Sequence, residues 1–274
     1  MELALDLSPP ESKHYRSWNE RLLYVARYSQ PEEIHVLLEQ AHSMGVRSVM
    51  AVLDGRIEAA LREHQVWRDI DVWAVVPNMN AFIRDLTDRG LVGAAVARFL
   101  RLRPSAMVAT GMNALRELGP LARSDFSAGA LWLAQMELAG AQSLRVHRVF
   151  LHPQLTEIAL AGRVSELFTE FAARVRDRGF EAGLLTNNPL VAADLLGETL
   201  GAFSVIVSPC NPRGFKMVPD RVTCERLFRA YSGRFWAREV TAGGGVSWRN
   251  AIDHVRDLGL AGAIVDPKSL RASR

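Results

Sequence analysis

Val149-Phe-Leu-His152, Gly183-Leu-Leu-Thr-Asn-Asn188, Ser204-Val-Ile-Val-Ser-Pro-Cys-Asn211, Phe235-Trp-Ala-Arg-Glu-Val-Thr241 and Ala261-Gly-Ala-Ile-Val-Asp266 are five short apolar runs, each closing on polar residues, within the stretch from Arg148 to Ser269. Helical patterns ended by glycine separate them. Strands that are apolar on both faces and alternate with helices specify a parallel sheet wrapped by helices.

Upstream, the same reading finds three more strands. Arg21-Leu-Leu-Tyr-Val-Ala-Arg27 is the expected first strand, with residues 1–20, including Ser8-Pro-Pro10, as a surface lead-in. Pro31 then opens an amphipathic helix through Ile34, Leu37, Leu38 and Ala41 that stops at Gly45. Val46–Leu53 is the second strand, followed by a helix from Ile57 to His64, and Ile70–Val76 is the third. Eight parallel strands with alternating helices close into an α/β (β/α)8 barrel of the TIM type, here a single domain over residues 1–274.

Two irregularities stand out. More than sixty residues separate Asn80 from His147, where one helix would suffice. Helical patterns around 91–102, 106–118 and 128–139 predict a helical insertion between strands three and four, roughly residues 81–145, capping the barrel mouth. Only nine residues follow Val265, so the eighth outer position falls to the N-terminal segment or to a partner subunit, which leaves a homo-oligomer open.

Composition narrows the function classes. The 33 basic and 30 acidic residues are spread along the whole chain, so a net charge of +3 is not the footprint of a nucleic-acid binder. Small anionic ligands remain compatible. Two cysteines, Cys210 and Cys224, make neither a disulfide framework nor a zinc motif and fit a reducing cytoplasm. The acidic start Met-Glu-Leu-Ala-Leu-Asp has no apolar core of a secretion signal, and no window reaches the length of a membrane span.

In such barrels the reacting groups sit at the C-terminal ends of the strands. Those ends carry Asp54, Asn78, His152 with Gln154 and Glu157, Thr186, Asn187 and Asn188, Ser208 with Cys210 and Asn211, Glu239, and Asp266 with Lys268. His152 is the expected general acid/base and Asp54 its orienting partner, since an imidazole exchanges protons near neutral pH. Only one of Arg238 and Glu239, adjacent on a strand, can point inward, and a charge there needs a partner. Asn78, Thr186, Asn187, Asn211 and Lys216 are candidate substrate ligands. Cys210 is either a nucleophile or inert packing. Gly243, Gly244 and Gly245, with Lys268, suggest an anion or cofactor phosphate site, because glycines let backbone N–H groups approach an anion.

From His152 to Ser269 the chain resembles the aldo/keto reductase superfamily. The resemblance rests on His152 after strand four, Thr186-Asn187 after strand five, Asn211-Pro212 after strand six and Ala242-Gly-Gly-Gly245 after strand seven, with Asp54 in the place of the strand-two aspartate. It implies NADP(H) as cofactor and an Asp-Tyr-Lys-His group for hydride transfer. No tyrosine follows Asp54 before Tyr231, and strand three ends at Asn78 without a lysine. The leading expectation is therefore a barrel enzyme acting on a small, polar, anionic metabolite by acid/base chemistry without that pair. A true NADP(H)-dependent reductase and a non-catalytic binding or assembly barrel are the alternatives.

Overall fold

The computed structural model describes residues 1–7, 17–28, 30–63, 70–85, 87–89, 126–140, 144–231 and 233–267. Its core is one closed parallel barrel in which each strand pairs with its neighbours in sequence and the last with the first. The strands are β1 (Glu2–Asp6), β2 (Ser48–Val52), β3 (Asp71–Val76), β4 (Val146–Leu151), β5 (Glu181–Leu185), β6 (Val205–Pro209), β7 (Phe235–Arg238) and β8 (Gly262–Val265). Around them lie α1 (Trp18–Tyr28), α2 (Pro31–Ser43), α3 (Gly55–Glu63), α4 (Phe126–Gly140), α5 (Pro153–Ala161), α6 (Ser165–Arg176), α7 (Pro189–Leu196), α8 (Arg221–Ala230) and α9 (Trp248–Asp257).

The first strand is not where it was expected. Residues 21–27 belong to α1, and β1 is the supposed lead-in. Locally the Ser17 hydroxyl accepts the Glu20 N–H at 3.1 Å, an N-terminal cap that starts a helix. In β1, Leu5 and Leu7 are buried toward the helices while Ala4 alternates into the barrel. The expected helices over 91–102 and 106–118 lie outside the described residues, as does the chain after 267. The third, expected over 128–139, is α4. It packs on β3 and α6, and its residues 130–134 are all buried. Among the described residues no helix is long and apolar enough to cross a membrane.

Inside the barrel, Trp73 of β3, Phe150 of β4 and Trp236 of β7 fill the centre with Met50, Val52, Leu185 and Ile264. Trp73 lies 4.6 Å from Trp236 and 5.7 Å from Phe150 between ring centroids. Two glycines make this possible: a Cβ on Gly183 would lie 2.2 Å from the Phe150 ring, and one on Gly262 would lie 2.6 Å from Trp236. At the N-terminal end, Arg148 covers the Trp73 ring at 4.9 Å and pairs with Glu181 at 2.7 Å. Among the described residues, these side chains fill that end of the lumen.

Replacing Gly183 by Ala forces Phe150 out of its seat. The expected result is a loss of about 1–3 kcal/mol in urea unfolding, and Gly262→Ala should behave alike. Unaltered stability in both would refute this account of the packing.

Candidate functional site at the C-terminal mouth of the barrel

Strand parity decides which side chains reach the mouth. Trp236 faces inward, so Arg238, two residues on, shares its face, and the strand ends before Glu239. By the same count Asp6 follows Ala4 inward and Asp266 follows Ile264, and since Leu5 and Val265 are register partners the two carboxylates are neighbours on the inner rim. Both interact with surrounding groups. Asp6 escaped the sequence reading because β1 did, although the Leu3, Leu5, Leu7 alternation carries the signal.

His152 is at the end of β4 and caps α5. It is 9% exposed, and its Nδ1 accepts the Gln154 backbone N–H at 3.3 Å. Burial lowers its pKa to about 4, so at pH 7 the imidazole is neutral and carries its proton on Nε2. It is a hydrogen-bond donor of fixed tautomer instead of a half-protonated shuttle.

The expected partnership of His152 with Asp54 is not formed. Asp54 caps α3, its Oδ1 accepting the N–H groups of Arg56 at 2.9 Å and Ile57 at 3.0 Å, while its Oδ2 meets the Arg56 guanidinium at 3.1 Å. A carboxylate one residue ahead of a helix is captured by the unsatisfied amides of the first turn. Asn78 does similar work, taking the Ala81 N–H on Oδ1 and giving Nδ2 to the Leu53 carbonyl.

After β5, Glu157 of α5 gathers the loop. It accepts the Thr186 hydroxyl at 2.9 Å, the Asn187 N–H at 2.6 Å and the Asn188 side-chain amide at 2.6 Å. The fully buried Thr186 hydroxyl also accepts the Asn188 N–H. Thr186 is thereby a brace for the loop, turned away from the lumen into which Leu185 points. Asn187 is different. Its Oδ1 is buried and has no hydrogen-bond partner among the described residues, and by parity with Leu185 it is on the inner side.

After β6, buried Asn211 clamps its own loop, its Nδ2 donating to the Phe215 carbonyl and its Oδ1 accepting the Phe215 N–H, both at 2.9 Å. Cys210 is buried among outer-layer residues, and burial pushes its thiol pKa far up, which settles it as packing.

The clamp holds Lys216, whose Nζ lies 2.6 Å from Glu239 Oε1. Both residues have positive φ, 59° and 54°, and Ala242 has 50°. Among the described residues only Arg163 adds another non-glycine positive φ. Three such residues thus fall in two adjoining loops of the mouth, and two of them form an ion pair.

The glycine-rich loop closes on itself. Gly244 N–H donates to Thr241 O at 2.9 Å, Gly245 N–H to Ala242 O at 3.2 Å and Val246 N–H to Thr241 O at 3.0 Å. These amides are turned inward, contrary to the expectation that they would face an anion. Gly243, at φ 66°, supplies the turn. Lys268 lies outside the described residues. Comparison with protein-family models, with curated proteins and with solved structures returns no match to this chain.

The imidazole also shapes stability. Its folded pKa is near 4 against an ordinary 6.5, so between those pH values the unfolded chain binds more protons and stability falls as pH drops through the window. Asn at 152 keeps an acceptor for Gln154 and does not titrate. Relative to His152→Asn, the wild type should therefore lose about 3 kcal/mol of unfolding free energy between pH 7.5 and 4. Parallel urea curves at each pH test this, and a pH-independent difference would remove the buried neutral imidazole.

Proposed function

We propose that this chain is a barrel enzyme that moves a proton next to a carbonyl in a small, polar, anionic metabolite, without a tyrosine/lysine hydride-transfer pair. The observation that carries this reading is the concentration of backbone strain at the mouth, where Lys216 and Glu239, both in left-handed conformation, hold each other. A strained conformation costs on the order of 1–3 kcal/mol per residue and persists where the surroundings enforce it, most often at sites of function.

In this reading Glu239 is the base. Its carboxylate takes a proton from carbon, and the Lys216 ammonium 2.6 Å away holds it in place. The electron pair left behind moves onto the carbonyl oxygen, which accepts a hydrogen bond from the neutral His152 Nε2–H. A fixed neutral donor aimed at a developing oxyanion lowers the barrier without giving up its own proton. The buried Asn187 oxygen is suited to accept a substrate hydroxyl or amide, which would relieve its unmet hydrogen bond. Arg238, on the inner face, lies 3.9 Å from the Glu239 carboxylate. The reductase alternative draws on the positions of His152 and Asn187 at the ends of β4 and β5, where the aldo/keto reductase resemblance puts its corresponding residues.

Proton exchange tests the proposal without knowledge of the product. Keto acids, hydroxyketones and their phosphate monoesters, incubated with the protein in heavy water, are followed by proton NMR for loss of the C–H signal beside the carbonyl. Exchange is expected with at least one class, and Glu239→Gln should slow it by about 100-fold or more. Exchange untouched by Glu239→Gln defeats the assignment of the base. NADPH fluorescence that shifts on adding the protein, with no exchange in any class, would favour the reductase.

A further inference from the structure

The loop between β6 and α8 carries a cation that no group among the described residues neutralises. Arg213 is exposed, and among the described residues it pairs with no carboxylate or carbonyl. Arg148 meets Glu181, Arg174 meets Glu170 and Arg256 meets Asp253. The guanidinium of Arg213 lies instead across the glycine-rich loop after β7. A Cβ on Gly245 would fall 3.0 Å from Arg213 Nη1 and 3.3 Å from the Ala242 carbonyl. The last glycine of the run thus makes room for a guanidinium and does not offer its amide, which is bonded to Ala242.

The loop backbone is held on both sides of Arg213. Asn211 clamps Phe215 from both sides, and Arg221 donates to the Pro212 carbonyl while its Cβ would be 3.1 Å from one built on Gly214. Between these two fixings the chain turns at Gly214, φ 70°, and at Lys216, φ 59°. Arg213 and Lys216 are presented from one short loop toward the loop after β7, the first on Gly245 and the second on Glu239. Because the loop backbone that carries both cations is already tied down, an anion can meet them without ordering the chain.

We infer that Arg213, with Lys216 beside it, is the subsite for the acidic group of the ligand, a phosphate or a carboxylate, whose reacting end enters the barrel. A planar guanidinium offers two parallel N–H groups to two oxygens of one acid, and both acid types fit that fork. The inference rests on the reading of the mouth as an active site. It moves anion recognition from the backbone of the glycine run to a side chain lying on it.

Inorganic phosphate and malonate, titrated separately at constant ionic strength and followed by calorimetry, distinguish the two acids. Phenylglyoxal labelling with peptide mapping reports Arg213 directly. Saturable binding of either anion is expected to protect Arg213, and Arg213→Gln should weaken it about tenfold or more. Gly245→Ala should weaken binding without unfolding the protein, because the clashing atom is the free end of a flexible side chain. Arg256→Gln, paired at the far end of α9, should leave it unchanged. Absence of binding by both anions, or binding that survives Arg213→Gln, overturns the subsite. If Glu239-dependent proton exchange persists in that case, the active-site reading stands and only the subsite falls.

Discussion

Everything at the mouth depends on closure of the sheet, which is made by a five-residue strand at the very start of the chain. Leu3, Ala4 and Leu5 pair with Ala263, Ile264 and Val265 of β8, and Asp6 continues into pairing with Met50 of β2. Closure removes the two free edges that an open parallel sheet would expose. It also makes eight strand ends into a ring, so that side chains from residue 6 to residue 266 share one rim. Without β1, the inner rim would lose Asp6 and the neighbour that holds Asp266 in register.

Closure is compatible with only a limited set of interior volumes, and the aromatic centre meets that limit by matching each bulky ring to a missing side chain. Phe150 faces Gly183 and Trp236 faces Gly262 on the following strand. The result is a solid lumen rather than a channel. Below it, Arg148 and Glu181 add a charged layer stacked on Trp73. The rim residues are thereby set on a dense platform, and their loops are tied down by side-chain hydrogen bonds: from Glu157 for the loop after β5 and from Asn211 for the loop after β6.

Much of the barrel was legible in the sequence because seven of its strands are apolar runs ended by polar residues, and β2 to β8 fall within a few residues of their expected places. The exception has a physical cause. Leu22 to Ala26 form an apolar run as hydrophobic as a strand, yet Leu22, Leu23 and Val25 are exposed on α1, and the short capping signal of Ser17 and Glu20 decided the outcome. At the rim, residue type did not reveal the contacts of each group. Asp54, Asn78 and Thr186 are polar at strand ends, and nearby helix amides or Glu157 claim them. Those contacts depend on how the next helix leaves the strand, which local sequence does not reveal. Lys216 was read as a candidate substrate ligand. Its pairing with Glu239 joins residues 23 positions apart, a consequence of β6 and β7 being neighbours.

The solid lumen has one more consequence. With Arg148 and Glu181 at the base of the cylinder and indole and phenyl rings through its middle, the described residues occupy the axis from the floor up to the rim. A ligand held at that rim would come and go by the same doorway, and whatever lodged there would shut out the next.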